Sequence, residues 1–256
     1  AANAAAAAVR LDTRQWKTAV RHGRAAGLET DDLLILMNRD MFLAFDRATF
    51  TLQGLYDPAV GKGYVLTSAQ APAPTVIGAT LLTPERQEVA AAGLDACERA
   101  YSWRKTPTGV ELVLSWHGAG APGQPGVLDL EGRIWIESDG MARFSCRVEN
   151  RSADLGLRFV KFPILGPLRA WDDDDPVDFN ASGVPSPTST GGGGLGGNYT
   201  AYYGSRGGIY VCAEDPDYRW KKDVSGTDGD SRTATLGHVY YCTNSHGEQV
   251  KTFEAT

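Results

Sequence analysis

The sequence predicts an all-β chain, a large two-sheet antiparallel sandwich with one or two short helices, and three observations carry that expectation. Residues 126–168, GVLDLEGRIWIESDGMARFSCRVENRSADLGLRFVKFPILGPL, alternate apolar and polar side chains with a period of two. Thirty Gly and thirteen Pro are spread along the 256 residues, which suits many turns in one unit better than a single linker. No repeat of about 20 to 50 residues is present, so a propeller or solenoid is not expected. Long neighbouring antiparallel strands form a large sheet, and a large sheet needs a second layer over its apolar face.

Residues 1–8 are an Ala-rich, low-complexity opening. In residues 11–24, Leu11, Trp16 and Val20 stand among basic residues, a pattern that predicts a short surface helix ended by Gly27. Residues 1–31 thus read as an N-terminal extension, and residues 32–256 as the sandwich domain. From Asp32 a meander is expected: two apolar strands flank Asn38-Arg39-Asp40, and a second pair flanks Asp46-Arg47-Ala48-Thr49. Thr83-Pro84-Glu85 offers a cap, a first-turn Pro and a first-turn acid, which predicts a short helix over 85–96. Strand character returns at 110–116, and a Gly/Pro loop, GAGAPGQPG at 118–126, leads into the central hairpin.

In that hairpin the apolar Val127, Leu128, Leu130, Ile134, Ile136, Phe144, Cys146 and Val148 are separated by Asp, Glu, Arg and Ser. Ile134, Ile136, Phe144 and Val148 are expected on one buried face, with Arg133, Trp135, Glu137, Arg143 and Arg147 on the other. Ser138-Asp139-Gly140-Met141 is the turn, because Asp-Gly tolerates the positive φ of a tight primed turn. A third strand over 155–162 is expected to close at Pro163, which lacks a ladder donor. Residues 169–198 read as a long loop, and strands resume over 199–203, 209–213 and 233–243.

The net charge of −6, with pI near 5.3, comes without a stripe of Lys and Arg, which excludes the nucleic-acid-binding class. No run approaches the roughly 18 to 20 apolar residues of a membrane helix. The Ala-rich start lacks the basic and Leu-rich parts of a signal peptide, so the expectation is a soluble chain whose export signal has gone. Cys97, Cys146, Cys212 and Cys242 permit three pairings. Cys212 and Cys242 lie in strand-like runs where a bridge between neighbouring strands is one option, and four buried thiols are the other. The sequons at Asn150, Asn180 and Asn198 lean toward a glycosylated, secreted or cell-surface protein.

Four short motifs follow one another along the chain. Asn38 to Asp46 reads Asn-Arg-Asp-x-x-Leu-x-Phe-Asp, and Leu52 to Tyr64 follows as a Leu/Asp/Gly/Tyr strand pair. Later come Val160 to Leu168, which includes Phe162-Pro163 and Leu165-Gly166-Pro167-Leu168, and Ala201 to Pro216, which leads to Lys221. In this order the chain resembles the galactose-mutarotase-like β-supersandwich domain that stands N-terminal to a (β/α)8 barrel in certain secreted glycoside hydrolases. The resemblance covers residues 32–245. It implies a non-catalytic partner of a barrel that would carry the glycoside hydrolase activity.

The search for chemistry agrees with an accessory role. Mutarotation needs a general acid and base at a sugar ring, usually His with Glu. The histidines here, His22, His117, His238 and His246, have no HxH or HxxxH spacing, and no G-x-S-x-G, P-loop, HExxH or CxxC motif occurs. The acidic run Asp172, Asp173, Asp174, Asp175 with Asp178 suits calcium by its oxygen donors, although its spacing is not that of an EF-hand, and a solvated turn is the plainer reading. No other cofactor is indicated. Trp171, Tyr218 and Trp220, with Lys221, combine apolar faces and polar rims of the kind that stack on a sugar. The expected function is an accessory carbohydrate-related domain that binds glycan or packs on an adjoining catalytic domain. The alternatives are a sugar epimerase or polysaccharide lyase on the same fold, and a structural protein that uses the sandwich as a scaffold.

Overall fold

The computed structural model describes residues 16–58, 62–63, 75–121, 123–138, 140–168, 199–204, 207–212, 221–226, 234–242 and 252–255. Among them the secondary structure is all strand, and no helix occurs. In chain order the strands are β1 (Lys17–His22), β2 (Ala25–Glu29), β3 (Leu33–Met37), β4 (Phe42–Asp46), β5 (Leu52–Asp57), β6 (Lys62–Gly63), β7 (Gly78–Leu82), β8 (Glu88–Ala90) and β9 (Glu98–Lys105). They continue with β10 (Gly109–Ala121), β11 (Gln124–Glu137), β12 (Ala142–Asn150), β13 (Gly156–Leu168), β14 (Tyr199–Gly204), β15 (Gly207–Cys212), β16 (Lys221–Gly226), β17 (Ala234–Tyr241) and β18 (Thr252–Ala255). Sheet A is the meander β1 to β6, sheet B has the order β18-β12-β11-β10-β9, and sheet C has the order β16-β17-β13-β7-β8. β14 and β15 form a separate hairpin.

Sheet B owes its length to the alternation in residues 126–168. β11 pairs with β12 in the register Ile134↔Phe144 and Ile136↔Ala142, and with β10 in the register Leu112↔Ile134. Leu112, Leu114, Trp116, Leu130, Ile134, Ile136 and Val148 are buried on one face, as the period of two predicts, and Phe144 is half-buried beside them. Gly140 has φ 108°, the positive value expected of the turn. The face packs against sheet A through Leu34, Leu36, Leu43 and Phe45 and against sheet C through Leu157, Val160 and Phe162, all in one hydrophobic cluster. Close approach marks both contacts. A Cβ on Gly27 of β2 would lie 2.6 Å from the Trp103 ring of β9, and one on Gly132 of β11 would lie 2.8 Å from the Phe162 ring of β13. The bridge Thr51↔Thr75 ties sheet A to the segment that leads into β7 of sheet C, and Ile164 N of β13 donates to Val76 O in that same segment. The result is a sandwich in which sheet B lies over both.

The meander turns close as Asx turns. Asn38 Oδ1 accepts from Asp40 N and Met41 N at 2.9 and 2.8 Å, and Asp46 Oδ1 accepts from Ala48 N and Thr49 N at 2.9 and 2.7 Å. Phe50, just past the second turn, sets its ring edge-on to Trp116 with centroids 5.3 Å apart.

Four expectations are corrected. The helix expected in 11–24 is, over its described part, strand β1, because Lys17 to His22 pair with β2 across a tight turn at Gly23, φ 57°. The helix expected over 85–96 is replaced by a turn and β8. Thr83 Oγ1 accepts from Gln87 N at 3.1 Å as a turn closure rather than a helix cap, and Val89 pairs with Leu81 of the buried β7. The Gly/Pro loop at 118–126 is mostly ladder: β10 runs to Ala121, β11 starts at Gln124, and register shifts absorb the positive φ of Gly118. β13 continues past Pro163 to Leu168, because its pairing with β17 skips from Lys161 to Ile164 and so needs no donor from Pro163. The long loop expected over 169–198 lies outside the described residues.

Candidate functional site

The outward side chains of sheet B form a broad polar surface with an aromatic centre. Cross-strand pairing sets Arg104, Glu111, Trp135 and Arg143 in one row, and Ser102, Val113, Arg133 and Ser145 in the next. Trp135 is half-buried, so part of its indole stays open to solvent. Around it, Arg133 grips one oxygen of Glu131 with both Nε and Nη2 at 2.7 Å, and Arg143 Nε lies 3.2 Å from Glu137 Oε2. Arg104 Nη1 stands 3.9 Å from Glu111 Oε2. These pairs hold long charged side chains in place on a face that keeps partial contact with solvent. An aromatic face bordered by fixed charged donors and acceptors can stack on the apolar face of a sugar while the rim bonds its hydroxyls.

At one end of the same face Asp129 accepts from Gly118 N at 2.9 Å and pairs with Arg151, whose Nη2 also donates to Gly126 O at 3.1 Å. His117 Nδ1 lies 3.8 Å from Asp129 Oδ1. This cluster pins the irregular end of the β10–β11 hairpin.

A second polar cluster lies between layers. Trp103 Nε1 donates to Glu29 Oε1 at 2.5 Å and Tyr101 OH donates to Glu29 Oε2 at 3.3 Å, which ties edge strand β9 to β2. The Arg47 guanidinium sits 5.4 Å from the centre of the Tyr101 ring. Burial, and then the Glu29 charge, push the Tyr101 hydroxyl above its ordinary pKa. Glu29 is committed to these two donors, so the cluster acts as a latch between sheets.

Cys97, Cys146 and Cys242 are free thiols, and the side chain of Cys212 lies outside the described residues. Burial pushes the Cys146 thiol far above its ordinary pKa and raises that of Cys97 as well, the opposite of what a nucleophilic thiolate needs. Asn150 is buried, its Nδ2 donating to Leu155 O at 2.7 Å and its Oδ1 accepting from Ser152 N at 3.0 Å. The side-chain nitrogen of this sequon thus helps to shape the turn into β13.

Asn180, Asn198, Trp171, Tyr218, Trp220 and the acids Asp172, Asp173, Asp174, Asp175 and Asp178 lie outside the described residues. Lys221 opens β16, and of it the structure describes only the backbone. Among the described residues no three His, Cys, Asp or Glu side chains converge on a metal-sized site, and no helix is long and apolar enough to cross a membrane. Sequence reasoning placed Trp135 and its arginines on the wet face of the hairpin but passed them over as a site. The available signal was a Trp at an outward position of an alternating strand, where burial gives no reason for one. No family model matches the chain, and no curated protein matches it either.

Proposed function

We propose that this chain is an accessory, non-catalytic sandwich domain of a carbohydrate-active protein, and that it contacts glycan with the outward face of sheet B. The single observation that carries the reading is Trp135, held half-open at the centre of a rim formed by Arg133, Arg143, Glu111 and Glu131. The galactose-mutarotase-like motifs at 38–46, 52–64, 160–168 and 201–216 support the same class. They bring with them an adjoining barrel as the catalytic partner and an exported or cell-surface location. The test is a glycan array probed with the purified chain and with Trp135→Ala. Retention of one or more neutral oligosaccharides, weakened at least tenfold by the substitution, is the expected result. An array that retains nothing, or retention unchanged in the variant, overturns the reading.

A further inference from the structure

Sheet A carries a second site of different chemistry. Cross-strand pairing places Arg21, Ala26 and Met37 in one row on the side of the meander that faces away from sheet B. The turn before β2 adds Arg24, and the turn after β3 adds Asn38 and Arg39. Together these residues line a depression of about 450 Å³. Its floor is apolar, from Ala26 and Met37. Arg21, Arg24 and Arg39, all exposed, contribute to its lining on a chain whose net charge is −6. Among the described residues no carboxylate comes within 4.0 Å of Arg21 or Arg24, and the one acid near Arg39 is Asp40, at 3.8 Å between two exposed side chains. Asn38 fixes the geometry from below: its Nδ2 donates to Glu137 O at 2.6 Å, which anchors the β3–β4 turn on the β11–β12 turn. Arg39 has Asp40 as a counter-charge, whereas Arg21 and Arg24 have none among the described residues, and guanidinium forks match the planar or tetrahedral oxygens of an oxyanion.

We propose that this depression binds an oxyanion, carboxylate or sulfate, either free or carried on a small organic body that rests on Ala26 and Met37. The site is separate from the Trp135 face and does not depend on glycan binding there.

Calorimetric titration of the whole chain with sodium glucuronate, sodium sulfate and neutral glucose tests it, alongside Arg21→Ala/Arg24→Ala. Both arginines are exposed, so the variant is expected to keep the wild-type melting temperature. The anions should bind saturably, weaken at least tenfold in the double variant, and weaken with added sodium chloride. Glucuronate bound several-fold more tightly than sulfate identifies an anion carried on an organic body, and equal affinity identifies a free oxyanion. Absence of saturable binding by either anion, anion binding unchanged in the double variant, or glucose bound as tightly as glucuronate would overturn the proposal.

Discussion

β3 and β11 are both apolar strands of one sandwich, yet they are buried in different ways. In β3 the successive residues Leu34, Ile35 and Leu36 are all fully buried, with Leu34 and Leu36 in the main core and Ile35 in a second cluster with Ala26, Leu28, Phe42 and Ala44. In β11 burial alternates: Ile134 and Ile136 are fully buried, while Arg133 and Trp135 keep contact with solvent. A strand with no alternation has no face to spare, and its sheet works as scaffold over most of its area. A strand that alternates keeps one face free for polar chemistry. Sheet B therefore keeps a broad polar face in contact with solvent, and sheet A carries the arginine-lined depression at the end of its meander.

The largest expected effects test this contrast directly. Leu34→Ala and Ile35→Ala should each cost about 2 to 5 kcal/mol in urea denaturation, as neighbours buried on opposite faces of one strand. In β11, Ile136→Ala should cost the same, whereas Arg133→Ala, which breaks a part-exposed ion pair with Glu131, should cost about 1 kcal/mol or less. Equal costs at 133 and 136 would break the comparison. Next in size, Gly27→Val and Gly132→Val should each lose about 1 to 3 kcal/mol by pressing on Trp103 and Phe162, the contacts that seat sheet B on sheets A and C. Asn38→Ala removes the acceptor of Asp40 N and Met41 N and a donor to Glu137 O, all part-buried bonds, and should cost about 1 to 3 kcal/mol.

The smallest effect is a pH dependence at the latch between layers. The folded-state pKa of Tyr101 lies above its unfolded value, so its contribution is fully present below about pH 10 and is lost as pH rises through the raised folded value. Melting temperatures taken across that alkaline range should fall less steeply for Tyr101→Phe than for the wild type. The raised thiols of Cys97 and Cys146 act in the same direction in both proteins and cancel in the difference. An identical alkaline slope in the variant would remove Tyr101 from the latch.

Much of the fold was legible because its signals are local. Asn38 and Asp46 mark the meander turns by their own hydrogen bonds, and Gly140 marks the central one by its positive φ. The misread elements are those where pairing partners distant in sequence override local preference. Val89 is drawn into a strand by Leu81 and the core behind it, and residues 17–22 are drawn into one by β2. The glycines of 118–126 resemble a loop because positive φ serves bulges as well as turns. The oxyanion site was illegible for a similar reason. Arg21, Arg24 and Arg39 come from three separate points in the chain, and only the registers β1–β2 and β2–β3 bring them around one depression.

The central claim is that the alternating sheet supplies the binding face. The direct measurement is an NMR titration of the isotopically labelled chain with a neutral oligosaccharide retained on the array, read as chemical-shift changes along the backbone and at the Trp indole N–H groups. The account predicts saturable shifts at Trp135 and its neighbours Glu111, Arg133 and Arg143, with β3 unmoved. Saturable shifts that leave these four residues unchanged and gather elsewhere in the chain would contradict it.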